Sequence, residues 1–247
     1  MKNYFTISIA VILVCGTSNA ADVATTVTTP VSRVFSALVP GQTLPTQFRV
    51  VTVPKIASNQ FSLVIDDGGT VLRVDSAGSA GSIGLPLTTV TGAASALLEW
   101  RWKISRALDK SNMATKASDD FAARVYVFFD VPMESLSFVD RTKLRLARMV
   151  AGPDVPTAAI CYVWDNTHPA GHTQWSPYTN RVRMIVLQSG AANVDKWMIE
   201  SRDVVADFRA AFDLNAPAVT GVAVGNDTDN TNERVSTWYG DVTLRAR

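Results

Sequence analysis

Leu98-Glu99-Trp100-Arg101-Trp102-Lys103-Ile104 alternates between large apolar and charged side chains without a break. Successive side chains of an extended chain point to opposite sides, so Leu98, Trp100, Trp102 and Ile104 share one face while Glu99, Arg101 and Lys103 share the other. One face belongs to a core and the other to water. Phe121 to Phe129 repeats the pattern, with Phe121, Ala123, Val125, Val127 and Phe129 on one side and Ala122, Arg124, Tyr126 and Phe128 on the other. Phe61 to Asp66 and Val71 to Asp75 alternate likewise, and Asp67-Gly68-Gly69 between them supplies the positive-φ residues of a tight hairpin.

Further strands are expected at 158–164, 181–188, 196–202, 219–224 and 236–245, whereas the glycines and serines between Ser76 and Gly84 predict a surface loop. Short runs at regular spacing, broken by turn residues, predict a mostly β, antiparallel, jelly-roll-like sandwich. Two helices interrupt it. In the first, about 133–150, Leu136, Val139, Leu146, Ala147 and Val150 recur at helical spacing before Gly152-Pro153, and the second runs from about 204 to 212 before Pro217. Arg141, Lys143, Arg145 and Arg148 crowd the later half of the first helix, where the dipole favours cations. They read as a solvated face rather than a polyanion site.

Lys2, the apolar run Tyr4 to Val14 and the small residues Ser18-Asn19-Ala20 predict a signal peptide over 1–20 and export to the periplasm or beyond. The run is too short to span a bilayer, and Val14 before Cys15 argues against a lipid anchor. An N-terminal arm over 21–45 and one domain over 46–247 are expected, since roughly 200–250 residues suit a single β domain. Loss of Cys15 leaves Cys161 as the remaining thiol, which rules out an internal disulfide. The chain has 23 basic and 22 acidic residues, and removal of Lys2 balances them. That balance excludes nucleic acid and anionic membrane surfaces as electrostatic partners.

LEWRWKI at 98–104, DDFAARVYVFF at 119–129, YVWDN at 162–166, SPYTNRVRMIVLQSG at 176–190, and GNDTDNT with the later WYGD between 225 and 241 carry a resemblance across most of the mature chain. They resemble the bacterial exported family called domain of unknown function 3047, which implies no activity to carry over. More distantly, the WYGD ending after a DTDNT-type loop is similar to jelly-roll carbohydrate-binding modules. That is an analogy of fold, and fold does not fix function.

Four constellations offer chemistry. Asp227, Asp229 and Asn230, with Asp241 on the following strand, supply oxygens of the kind Ca2+ takes, or else form an Asx-rich turn bonded to its own backbone. An EF-hand is rejected, because Asn232 stands where glycine is needed and Trp238 where a bidentate Glu is needed. The aromatic residues Trp164, Trp175 and Tyr178, with Asp165 and Asn166, suit a sugar platform, while Trp100, Trp102 and Trp197 read as core. Glu99, Arg101, Arg124, Tyr126, Arg181 and Arg183, with Asp119 and Asp120, occupy non-core phases of three strands. If these strands are neighbours the charges converge, and the face binds an anionic sugar or supplies a glycosidase with the acid and base of Glu99, Asp119 and Asp120. A cross-strand salt-bridge ladder is the plainer alternative. His168 and His172 in HPAGH lack the helix and the Glu of a zinc protease, even with Cys161 as a third ligand. The sequence therefore predicts a sandwich that binds a glycan or a related small envelope ligand, with Ca2+ as an optional structural ion. A glycan-cleaving enzyme is the rival, and an envelope interaction module the third class.

Overall fold

The protein is described by a computed structural model covering residues 34–87, 89–151 and 155–247. The signal-peptide reading of 1–20 and the first part of the expected arm, 21–33, lie outside the described residues. In chain order the elements are β1 (Arg49–Val51), β2 (Gln60–Asp66), β3 (Gly69–Ala77), β4 (Ala80–Gly84), β5 (Ala96–Ile104), β6 (Phe121–Phe129), α1 (Phe138–Ala151), β7 (Ala158–Asp165), β8 (Thr173–Ser176), β9 (Thr179–Ser189), β10 (Met198–Asp203), α2 (Val204–Phe212), β11 (Val219–Asp227), β12 (Arg234–Tyr239) and β13 (Thr243–Ala246). No helix among the described residues is long and apolar enough to cross a membrane.

Two sheets face each other as a sandwich. The first runs β1-β4-β11-β6-β7-β9-β8 and the second β10-β5-β12-β3-β2, with β13 also on β5. Their inner faces meet in one core whose centre is aromatic. Trp100 lies 5.6 Å from Trp102 and 5.3 Å from Tyr162, and Trp102 lies 6.0 Å from Trp164, so rings of both sheets interlock. Each such ring removes roughly 150–250 Å² from water, on the order of 4–6 kcal/mol before conformational entropy is subtracted. Tyr239 ties the sheets with its polar end: its hydroxyl donates to Gly225 O at 2.6 Å and accepts from Arg124 N at 3.0 Å.

Strict alternation holds in β5, where Trp100 is 2% exposed and Arg101 lies on the wet side. The predicted hairpin forms, with Asp67 at φ 51° and Gly68 at φ 73° joining β2 to β3. Several expectations change. Ser76 to Gly84 is not a surface loop, because β4 fills part of it and pairs with β1 and β11 in the interior of a sheet. The small side chains there permit close approach: a Cβ on Gly225 of β11 would meet Gly81 O at 2.3 Å. The sandwich is antiparallel except for β7 and β9, since β8 runs along the edge and β9 returns between it and β7. A register shift between Gly225 and Asp227 against β6 moves Phe121 off the inter-sheet core and into a second apolar cluster, beside Phe128, Cys161 and Met184.

The first helix starts at Phe138 rather than near Met133, because Met133–Ser135 forms a 3-10 turn and the Ser137 hydroxyl accepts the Asp140 N–H at 3.1 Å. Of the apolar residues recurring at helical spacing, Leu136 is buried, whereas Val139 and Leu146 are 57% and 55% exposed. The second helix matches its expected span, capped by Asp203, whose side chain accepts from Val205 N and Ala206 N. Within the span assigned to the arm, Val34 and Phe35 are buried, and Asp241 accepts from Phe35 N at 2.8 Å, Ser36 N at 2.9 Å and Ser36 Oγ at 2.6 Å.

Candidate functional site

The charged phases do not converge. Glu99 and Arg101 stand on the outer face of the second sheet, Arg124 and Tyr126 on the outer face of the first, and Arg181 and Arg183 on the inner side of β9 at the sandwich edge. The cause is topological: β5 and β6 lie in different sheets, whose outer faces point away from each other. Trp164 is no platform, for it is 1% exposed in the core and donates Nε1 to Gly190 O at 3.1 Å. Trp197, expected in the core, instead lies outside with the Arg101 guanidinium 4.4 Å from its ring centre. Asp165 is buried under the 166–168 turn, accepting from Thr167 N and His168 N, while Asn166 bonds Asp109 O. His168 and His172 stack on one another at 4.4 Å, and burial pushes the Cys161 thiol up to about 12, away from a ligating thiolate.

The outer face of the second sheet is saturated. Arg101 pairs with Asp67, Lys103 with Asp66 at 2.6 Å, Arg73 with Asp75 at 2.9 Å and Arg245 with Glu99 at 2.5 Å. This is the ladder alternative, and it removes Glu99 and Arg101 from a shared site.

A cleft of about 340 Å³ opens where the β8–β9 edge faces β10 and α2. Its walls are apolar, from Ile185, Leu187, Ala210 and Ala211, and its polar groups are Arg183, Arg202, Asp207 and Thr173. Asp207 is fully engaged: Arg202 holds both of its oxygens, at 2.9 and 2.5 Å, and the Tyr162 hydroxyl donates to it at 2.6 Å. That fork raises the Arg202 guanidinium above its ordinary range, against the pull of burial. Arg183 donates to Thr173 Oγ1 at 2.6 Å and lies 5.0 Å from the Trp175 ring centre, with no carboxylate in ion-pair contact among the described residues. Trp175 in turn meets Phe212 edge-on at 5.2 Å. Arg181, beside it, gives Nε to Thr157 O at 2.7 Å but leaves Nη2 buried and unpartnered among the described residues, and burial lowers its pKa.

Arg202 and Asp207 escaped sequence reasoning, as did Glu200, which accepts from Trp102 Nε1 and Gln188 Nε2 and is raised by burial. The signal was present in Met198-Ile199-Glu200-Ser201-Arg202. An edge strand that turns its charged phase inward must expose its apolar one, and Ile199 is 79% exposed.

A second polar centre lies at the start of β6 and the end of β11. Asp227 accepts Phe121 N at 2.9 Å and pairs with Arg124 at 2.5 Å, while Arg124 also donates to Tyr126 Oη at 2.7 Å and Asp119 O at 2.6 Å. Asp120 accepts from Asn230 N and Nδ2 at 3.3 and 3.1 Å and from Thr231 N and Oγ1, both at 2.7 Å. Burial first, then Asp120 and Asp229, push Asp119 up to about 7 despite Arg124. Asp227 and Asp229 are raised mainly by burial as well. Tyr178 stands nearby with its hydroxyl on Lys116 O at 2.9 Å. Among the described residues the oxygens of Asp120, Asp227 and Asp229 lie within 4.8 Å of one another. The structure thus gathers two of the four expected metal ligands, adds Asp120, turns Asn230 onto Asp120 and leaves Asp241 with Phe35 and Ser36.

Solved structures offer weak likenesses. The glycoside hydrolase domain of Spr0440, Endo-D, from Streptococcus pneumoniae R6 superposes with a TM-score of 0.34 at 10% identity, over 80% of this chain. This chain spans 21% of that one. Cellulose induced protein, Cip1, gives a TM-score of 0.31 at 11% identity, covering 81% of this chain and 91% of its own. Likeness at this level carries no argument about activity. No curated protein matches the chain. A family model matches residues 46–243, spanning the sandwich from before β1 into β13, and the chain belongs to that family, described as protein of unknown function (DUF3047).

Proposed function

We propose that the chain is an exported envelope protein whose sandwich binds, without transforming it, an acidic glycan or related anionic envelope ligand in the cleft between β8–β9 and α2. One observation carries the reading: Arg183 presents a guanidinium without a carboxylate partner among the described residues, inside a largely apolar cleft whose other arginine is already forked onto Asp207. A guanidinium offers paired planar donors that match a carboxylate. The Trp175 ring, next to the lining residues, backs that guanidinium and helps to hold it in place. Export rests on the signal-like residues Lys2 to Ala20.

A glycoside hydrolase canonically needs two carboxyl groups flanking the bound sugar. Asp207 is the carboxylate lining this cleft among the described residues, and Arg202 and Tyr162 occupy it. Binding is therefore favoured over hydrolysis. Calorimetric titration with an oligogalacturonate and with a neutral cello-oligosaccharide of equal length tests the reading. The acidic chain is expected to bind, and Arg183→Ala to weaken it at least about tenfold, the loss of charged hydrogen bonds worth about 1.5–3 kcal/mol. Equal binding of the neutral chain, or affinity untouched by the substitution, overturns the proposal. No binding of either would leave the interaction-module class in its place.

A further inference from the structure

Independently of the cleft, we propose that Asp120, Asp227 and Asp229, with the buried carboxyl of Asp119 beside them, form a site for a hard divalent cation, Ca2+ by its chemistry. The three carboxylates already bring oxygens within 4.8 Å of one another. The second observation is Asp119. It is 5% exposed, and its Oδ1 has no hydrogen-bond partner among the described residues. Its Oδ2 lies 4.0 Å from the same Arg124 Nη2 that Asp227 holds at 2.5 Å, so Asp119 and Asp227 flank one nitrogen.

Charge and lone pairs decide what the centre lacks. Asp119 and Asp227 face one guanidinium, Asp120 and Asp229 add two more carboxylates beside Asp227, and buried charge without compensation is costly. Arg124 is spent on Asp227, Tyr126 and Asp119 O, with Nε left unpartnered among the described residues. Asp120 accepts its shorter bonds, both 2.7 Å, through Oδ2 and its longer ones, 3.1 and 3.3 Å, through Oδ1. Asp229 is half-buried and gives the site an approach from solvent. The donors are hard oxygens, the kind that Ca2+ takes at about 2.3–2.6 Å, and the protonated Cys161 thiol adds no soft ligand. The ion would join the start of β6 to the 228–233 loop, which Asp120 already fastens through Asn230 and Thr231.

Thermal unfolding of chelator-treated protein, with Ca2+ or Mg2+ added back, tests the site together with Asp229→Asn and Asp119→Asn. Ca2+ at a hundredfold over its dissociation constant is expected to raise Tm by about 5–10 °C, and Mg2+ by less. Asp229→Asn should abolish that response while leaving the calcium-free Tm equal to or above wild type, because it removes a repelling charge. If either variant fails to fold, calorimetric titration of the wild type with Ca2+ alone decides. No Tm shift and no binding heat up to millimolar Ca2+, or a shift that survives both substitutions, overturns the proposal and leaves a proton-sharing acidic cluster.

Discussion

The outer face of the second sheet and the cleft beside α2 contain the same kinds of side chain, arginines next to tryptophans, yet differ in how the charges are matched. Outside, Arg101, Lys103, Arg73 and Arg245 each meet a carboxylate, and Trp197 and Trp238 are packed by Arg101, Lys103 and Arg73. In the cleft Arg202 is matched, and Arg183 next to it has Thr173 and a ring face. A charge that is already paired has little to gain from a ligand. One left without a counter-ion in a half-enclosed space has most to gain, and the two regions separate scaffold from site on that criterion.

The comparison can be broken from the matched side first. Asp207→Ala strands Arg202 and the Tyr162 hydroxyl, and unfolding in denaturant should show a loss of about 2–3 kcal/mol, partial exposure of Arg202 keeping it below the cost of a fully buried pair. Arg183→Ala should do the reverse, weakening binding of an acidic oligosaccharide by about 1.5–3 kcal/mol while the denaturation midpoint moves little. Trp175→Ala loses an edge contact with Phe212 and the ring beside Arg183, so both affinity and stability should fall by about 0.5–1.5 kcal/mol. The smallest effect belongs to Asp67→Asn, which unpairs Arg101 on the exposed face. It should cost under about 1 kcal/mol, vanish in high salt and leave binding unchanged. A large effect there would dissolve the distinction.

Alternation made the inner faces legible. Trp100, Trp102 and Ile104 are buried as Leu98 to Ile104 required, and the turn at Asp67-Gly68 was written in residues that tolerate positive φ. Three things were not local. Whether Arg101 and Arg124 share a surface depends on which sheet each strand joins, and β5 and β6 join different ones. The Gly- and Ser-rich run holding Ala80–Gly84 reads as loop because its side chains are small, though smallness is what lets β4 lie against β11. The cleft was masked because β10 reverses the usual sense of burial, with Ile199 out and Glu200 and Arg202 turned inward. The acidic centre was half legible: Asp227 and Asp229 stood out as a loop composition, while Asp119 and Asp120 reach them from the residues just before β6, more than a hundred positions away in sequence.

Backbone amide chemical shifts recorded while an oligogalacturonate is titrated into the protein test the central claim most directly, because they show where the ligand sits as well as whether it binds. Shifts should gather on Thr173, Arg183, Ala210 and Ala211 around the cleft and disappear in Arg183→Ala. Shifts centred instead on Arg101, Trp197 and Trp238 of the charge-matched face, with the cleft residues silent, would contradict it.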